Sequence, residues 1–261
     1  LTSSNVMLYF DMELTFGIAP FLILFKTLCF IRSVLWLIWT AAIIIPLALL
    51  LVLSAPFSGW RWLYRIANWW GLSAVYGMKW ICGVQWRITG VEHLPTDGRK
   101  TIILSKHQST WETLAYLALS PQPLCYVYKK ELHWIPFFGW GLYAMRAIAI
   151  KRSKPAGAIR QVLKQGKQRL SKGIKVIIFP EGTRVRTPEV GTFMTSGAAL
   201  AKAAAVPILP VRHNAGHCWP AGSWLKTPGT ISIVIGPTIA TDSHNPRELT
   251  AITQQWIANA L

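Results

Sequence analysis

Acidic residues and paired cysteines are scarce in this chain, and each scarcity narrows the classes of protein to which it can belong. The 261 residues include 10 Asp or Glu against 27 Lys or Arg, a formal net charge of +17. This excess favours an anionic partner, whether nucleic acid, anionic lipid or a phosphorylated small molecule. The four cysteines are scattered without a C-x-x-C pair, which argues against a disulfide framework. His213, His217 and Cys218 lack a further ligand at a useful spacing, so we predict no metal site.

Charge is missing altogether from one long N-terminal stretch. Residues 33–60 carry no charged side chain, and residues 14–31 carry only Lys26. About 20 apolar residues cross the hydrocarbon core of a bilayer, so residues 33–60 predict a membrane-embedded helix. Residues 14–31 are a candidate second helix, and the two would form either a hairpin in one leaflet or a full span. A cleaved signal peptide fits poorly, because Asp11 and Glu13 stand where basic residues are expected.

Tryptophan and basic residues follow this apolar run directly. They are Trp60, Arg61, Trp62, Arg65, Trp69 and Trp70. Aromatic and basic side chains together are typical of the interface on the cytoplasmic side of a membrane. We therefore predict that residues 1–83 form a membrane-anchoring helical region.

From about residue 84 short β-rich runs alternate with helical patterns. The predicted strands are residues 101–105, 147–151, 175–179, 207–211 and 231–236, and the predicted helices are residues 109–119, 155–172, 196–205 and 246–260. Such alternation favours an α/β fold with a mostly parallel sheet flanked by helices. We assign this domain to residues 84–261.

His107 and Glu112 form the first motif that carries chemistry. The predicted strand ends just before His107, and Ser109 with Glu112 three residues later reads as a capping box at a helix start. His107 then lies in the turn, where its ring can meet the Glu112 carboxylate. Such a pair suits a general base, with the carboxylate holding one ring nitrogen and the other accepting a proton. The alternative is a simple cap beside an ordinary turn histidine.

A second motif follows the predicted strand 175–179. In Glu181-Gly182-Thr183-Arg184, the glycine frees the backbone while Thr183 and Arg184 supply donors for an anion. Loops at strand ends are where α/β sheets bind ligands. An ordinary turn is the alternative reading of this segment.

A third feature is a long basic segment. Between Glu131 and Glu181 there is no carboxylate, whereas ten Lys and Arg residues occur. Arg160, Lys164 and Lys167 share one helical face, which is either a solvated face or a surface for anionic lipid headgroups.

Residues 85–240 resemble the glycerolipid acyltransferases related to 1-acylglycerol-3-phosphate acyltransferase. That family has four ordered blocks, matched here by His107 with Glu112, by Ala147–Arg152, by Glu181–Arg184 and by Val206–Val211. One block is weak evidence, but four in order are strong evidence.

The resemblance implies a role for each block. His107 would deprotonate the acceptor hydroxyl, and Glu112 would orient His107. Arg152, Glu181, Gly182, Thr183 and Arg184 would form the acceptor site, and Pro207 would help to shape the acyl pocket. The resemblance implies no cofactor and no metal: acyl-CoA or acyl-carrier protein is the co-substrate, lysophosphatidic acid the acceptor and phosphatidic acid the product. It also implies contact with membrane lipids, at the cell inner membrane with the active site on the cytoplasmic side.

Four positions depart from the family pattern. Glu112 stands where Asp is usual, and Arg146 stands where the second block usually begins with Gly. Lys151 stands where an acidic residue is common, and Met194 lies near the place of a frequent Lys. These departures keep open a different acceptor, such as a lyso-aminolipid. A non-catalytic protein that binds anionic lipid is an alternative that the four blocks disfavour. Nucleic-acid binding has no support beyond charge, because the aromatic residues cluster beside the apolar run and not among the basic residues.

Overall fold

The computed structural model describes residues 3–95, 100–120, 122–151, 153, 155–186 and 189–260. The helices are α1 (Ser3–Ser54), α2 (Trp60–Cys82), α3 (Trp111–Leu119), α4 (Phe138–Ala144), α5 (Pro155–Ser171), α6 (Ser196–Ala204) and α7 (Pro246–Asn259). The strands are β1 (Val84–Thr89), β2 (Ile102–Ser105), β3 (Leu124–Lys129), β4 (Ile148–Ile150), β5 (Lys175–Ile178), β6 (Ile208–His213) and β7 (Gly229–Ile235).

The seven described strands form one sheet in the order β1-β7-β6-β2-β5-β3-β4. Every neighbouring pair is parallel except β6 and β7, which are antiparallel. The predicted α/β fold with a mostly parallel sheet is therefore confirmed. The sequence analysis missed β1, β3 and the short helix α4.

The carboxyl ends of four parallel strands define the functional edge of the sheet. Strands β2, β5, β3 and β4 are neighbours that run in the same direction, so their last residues meet at one edge. Because β2 leads into His107 and β5 leads into Glu181, this topology brings two distant motifs together.

The N-terminal helices differ from the prediction. Residues 14–31 and 33–60 are not two helices, because α1 runs without interruption to Ser54 and includes Pro20 and Pro46. No helix breaker lies near residue 32, whereas Pro56 and Gly59 occupy the turn that ends α1. The hairpin that forms is instead the packed pair of α1 and α2.

The apolar surface of α1 is largely uncovered by the rest of the protein. Ala19–Ser54 has 36 residues and contains an 18-residue window with a mean hydropathy of 2.6, which by length and composition is enough to cross a membrane. Phe21, Ile23 and Leu24 are each about two-thirds exposed. Large exposed apolar surfaces are costly in water, so this helix favours membrane association.

Helix α2 joins α1 to the sheet through a shared core. Ile66, Val75 and Met78 of α2 are buried in the same hydrophobic cluster as Trp36 of α1 and the side chains of α3 and the sheet. The division between residues 83 and 84 stays a prediction; it coincides with Gly83, which has a positive φ between α2 and β1.

Candidate active site

His107 and Glu112 meet at the carboxyl end of β2. The Nδ1 atom of His107 lies 2.9 Å from Oε1 of Glu112. The Glu112 side chain is 1% exposed and that of His107 is 14% exposed. With Nδ1 engaged by the carboxylate, Nε2 is the ring nitrogen that can exchange a proton with a bound molecule.

The backbone of the turn also holds the Glu112 carboxylate in place, independently of the His107 ring. Glu112 Oε1 also accepts hydrogen bonds from the backbone N–H groups of Gln108 and Ser109, each at 2.8 Å. The predicted capping box forms only in part, because helix α3 begins one residue later than a Ser109 cap requires, with Thr110 at its N-cap. The Ser109 hydroxyl accordingly accepts from Trp111 N, at 3.1 Å.

The electrostatic surroundings favour the ionised form of Glu112. Burial opposes ionisation, but the His213 and His107 rings and the Ser109 N–H outweigh it, so the pKa of Glu112 lies below its ordinary value. Burial in turn lowers the pKa of His213, which keeps that ring neutral. Ala215 N donates to His213 Nδ1 at 3.3 Å, so His213 Nε2 carries the proton and donates to the Lys106 carbonyl at 2.8 Å.

The loop after β5 holds His107 from the other side. The His107 ring stacks on Phe179 with ring centroids 4.1 Å apart and planes 15° from parallel. The His107 N–H donates to Glu181 Oε2 at 2.7 Å, and the His107 carbonyl accepts from Val185 N at 2.8 Å. The His107–Glu112 pair and the Glu181–Arg184 motif therefore form one continuous site.

The second motif turns tightly beside His107. Gly182 has φ of +68°, and a Cβ atom there would lie 2.3 Å from the end of the Met194 side chain. Thr183 and Arg184 are exposed, so their hydrogen-bond donors are accessible to a ligand. Glu181 is different: both carboxylate oxygens are engaged inside the protein.

A large cavity of about 460 Å³ opens next to His107. Most of its lining side chains are apolar, and most come from α1, α2, α3, α4, β3 and the loop after β5. The lining includes Trp36, Ala48, Trp70, His107, Phe179 and Arg184. A long apolar chain can thus lie in this cavity with its polar end near His107.

Two predicted site residues differ from the others: one lies outside the described residues, and one lies at the opposite edge of the sheet. Arg152 lies outside the described residues, between Lys151 and Ser153. The Pro207 carbonyl accepts a hydrogen bond from Ile102 N at the start of β2, whereas His107 follows the end of that strand. Pro207 therefore lies at the opposite edge of the sheet and is not among the residues that line the cavity.

Three residues of the site were missed by the sequence analysis. Lys106 pairs with Glu181, His213 supports the Lys106 carbonyl, and Phe179 stacks on His107. Lys106 and Phe179 directly flank the two motifs, so their place in the sequence could have identified them as site residues. The contact of His213 depends instead on the pairing of β2 with β6.

The basic side chains of Arg160, Lys164 and Lys167 are exposed on α5. In the part of the chain that the structure describes, no group of three or more His, Cys, Asp or Glu is arranged to hold a metal ion.

Comparisons with known proteins agree with this site. Residues 85–214 match the family model described as Acyltransferase. The chain is 40% identical over 235 residues to a 1-acyl-sn-glycerol-3-phosphate acyltransferase from Pseudomonas aeruginosa, covering 88% of this chain and 90% of the relative. It is 31% identical over 195 residues to an enzyme of the same name from Limnanthes douglasii, covering 74% and 68% of the two chains.

A solved structure shares the fold. The crystal structure of the 1-acyl-sn-glycerophosphate acyltransferase from Thermotoga maritima superposes with a TM-score of 0.72, covering 88% of this chain and 95% of that chain at 22% identity. The identity is low enough that this likeness speaks for the fold alone. The family model and the identity with the Pseudomonas relative show the family, and the shared fold agrees with them. This chain is an enzyme that belongs to the acyltransferase family.

Proposed function

We propose that this protein transfers a fatty acyl group from a thioester donor to the free hydroxyl of 1-acylglycerol-3-phosphate and so forms phosphatidic acid. The observation that carries the proposal is the His107–Glu112 pair at the mouth of an apolar cavity. The names of the relatives support the acceptor, since they are called 1-acyl-sn-glycerol-3-phosphate acyltransferases.

The chemical step uses His107 as the general base. Its Nε2 atom takes the proton of the acceptor hydroxyl as the oxygen attacks the thioester carbonyl carbon. The tetrahedral intermediate then collapses, the carbon–sulfur bond breaks, and the imidazolium returns its proton to the leaving sulfur. Glu112 holds the ring in the required tautomer and stabilises the imidazolium. No covalent acyl-enzyme is needed.

The acceptor phosphate binds beside the second motif. Thr183 and Arg184 are exposed next to the tight turn at Gly182, and guanidinium groups pair well with phosphate. Arg152, two residues after the end of β4 in the sequence, is proposed to join them. Glu181 acts within this site through the backbone of His107.

The cavity holds an acyl chain. One of its walls is α1, the helix whose other faces favour lipid, so a lysolipid in the bilayer can reach His107 without crossing water. We propose the cell inner membrane with the site on the cytoplasmic side. Arg61, Arg65 and Lys79 follow α1 and support that orientation.

The first test is an assay of purified, detergent-solubilised protein with acyl-CoA and lysophosphatidic acid. We expect wild type to form phosphatidic acid, His107→Ala to abolish the reaction, and Glu112→Ala to lower the rate by as much as ~10⁴-fold. Acyl-carrier protein as the donor and a lyso-aminolipid as the acceptor run in parallel. A clear preference for an acceptor without phosphate would refute the acceptor assignment, and full activity in His107→Ala would refute the general base.

A further inference from the structure

Lys106 directly precedes the candidate base and is completely buried. Its side chain is 0% exposed, and its Nζ atom lies 3.0 Å from Glu181 Oε1. The ammonium also donates to the Glu189 carbonyl. A buried lysine is rare unless it is paired, because the interior solvates a charge poorly. Neither Lys106 nor Glu181 is among the residues that line the cavity, so this pair faces away from the proposed substrate.

Glu181 accepts hydrogen bonds from three donors in two other segments of the chain. Oε1 accepts from Lys106 Nζ and from Gly191 N, the latter at 3.1 Å, and Oε2 accepts from His107 N at 2.7 Å. The carboxylate therefore joins the residues that follow β2 to Gly191, and Glu181 itself belongs to the loop after β5. All of these bonds are buried or nearly so, where hydrogen bonds to charged groups are strong.

The consequence is a fixed backbone at His107. Its N–H is held by Glu181 and its carbonyl by Val185, both within the loop that carries Thr183 and Arg184. The Lys106 carbonyl is held in turn by His213. The buried ion pair thus constrains the backbone position of His107 and its distance from the proposed phosphate site, while Glu112 and Phe179 hold the ring.

We infer that Lys106 is a positioning residue for the acyl transfer, acting through Glu181 on His107 and on the loop at Thr183 and Arg184. The inference rests on the proposed function, and it deepens it by giving Glu181 an internal partner. Lys106 holds the Glu181 carboxylate in place, and the carboxylate positions the backbone of His107. Neither side chain touches the substrate.

The test compares Lys106→Met, Glu181→Gln and the double variant in steady-state kinetics. A displacement of about 1 Å in a reacting group can cost ~10²-fold, so we expect Lys106→Met to lower kcat about 10²-fold while the KM for lysophosphatidic acid stays within about threefold. In the double variant the two losses should not multiply, because both changes break the same Lys106–Glu181 contact. Lys202→Met is the matched control, since Lys202 also donates to backbone carbonyls, but on α6.

Two results would overturn the inference. One is a rise in KM with kcat unchanged, which would make Lys106 a substrate contact. The other is a normal kcat per folded molecule with only a lower melting temperature. If Lys106→Met does not fold, Glu181→Gln carries the same expectation of reduced kcat at constant KM.

A measurement without turnover separates this inference from the proposed function. In protein labelled with ¹⁵N-histidine, Lys106→Met should shift the His107 ring resonances and leave those of exposed His244 in place. If wild type transfers no acyl group to lysophosphatidic acid, the proposed function fails while this comparison still tests the positioning. Unchanged His107 resonances in Lys106→Met would refute the positioning, whatever the activity.

Discussion

At the scale of the residue, the two histidines near Glu112 differ in burial and in hydrogen bonding. His107 is partly exposed and lines the cavity, and its ring is held by the carboxylate and by Phe179. His213 is buried and donates from Nε2 to the Lys106 carbonyl. Since burial lowers the pKa of His213 from 6.5, it serves as a neutral hydrogen-bond donor and not as a second base.

This difference predicts how stability depends on pH. Below about pH 6.5 the unfolded chain binds a proton at residue 213 that the folded protein excludes, so stability should fall with pH from that point. The depressed pKa of Glu112 acts in a separate window, because its contribution is lost only as pH falls below about 4.5. His213→Gln keeps an N–H donor but removes the proton uptake, so its melting temperature should change less than that of wild type between roughly pH 7 and pH 5.

Thermal melts of both proteins in one detergent, at several pH values, measure this effect. His244→Gln is the control, because His244 is 43% exposed and should leave the wild-type slope intact. A wild-type slope in His213→Gln would contradict the assignment of His213 as a buried neutral group.

At the scale of the element, the site is built by secondary structures that each contribute one wall. The turn after β2 supplies His107, helix α3 supplies Glu112, and the loop after β5 supplies the proposed phosphate site. Helices α1, α2 and α4 contribute apolar side chains to the cavity. Under the proposed function, the length of acyl chain that fits would depend on these helices.

Filling this cavity should change the preference for the donor without removing the base. Ala48 lies on α1, is 6% exposed and lines the cavity. We expect Ala48→Phe to lower kcat/KM for long-chain acyl donors by at least ~10-fold and to affect short-chain donors much less, because a filled pocket rejects the extra methylenes. Ala203→Phe on the exposed face of α6 is the control. Equal losses for all donors would show that the cavity does not hold the acyl chain.

At the scale of the whole molecule, the apolar helix and the catalytic sheet form one structure. Trp36 and Leu51 of α1 belong to the hydrophobic cluster that continues into the sheet. Lys226, in the loop before β7, places its ammonium 4.6 Å from the Trp36 ring and 4.5 Å from the Trp219 ring. The backbone N–H of Lys226 also donates to Ser33 Oγ at 2.9 Å. These contacts hold the membrane-seeking helix at a defined place beside the active site.

The exposed face of α1 should therefore control membrane attachment more than folding. Replacing Phe21, Ile23 and Leu24 together by Ser removes exposed apolar area worth on the order of 1.5–3 kcal/mol for each residue that enters lipid. We expect a larger soluble fraction after alkaline extraction of membranes, with little change in the melting temperature. Val91→Ser, at a 54% exposed position after β1, should leave the membrane fraction as in wild type. An unchanged membrane fraction in the triple variant would contradict a membrane role for this face.

Local patterns in the sequence were enough to predict several features. His107 and Glu112 are five residues apart across one turn, so their contact depends on short-range geometry that the order of residue types already indicates. The uncharged run that supplies the carboxyl-terminal part of α1, and the alternation of strands with helices, are likewise local signals. The end of α1 was misjudged because Pro56 and Gly59 were outweighed by the long apolar run around them.

Contacts between distant segments were decided by the tertiary structure alone. Lys106 and Glu181 are 75 residues apart and meet because β2 and β5 are parallel neighbours in the sheet. The cavity joins α1 to α4, and Pro207 lies far from it because β6 begins at the opposite edge. Residue types and their spacing thus determined the His107–Glu112 pair, the fold class and the apolar helix. The order of strands, the buried ion pair and the shape of the cavity depend on which elements pack together, and no local pattern carries that information.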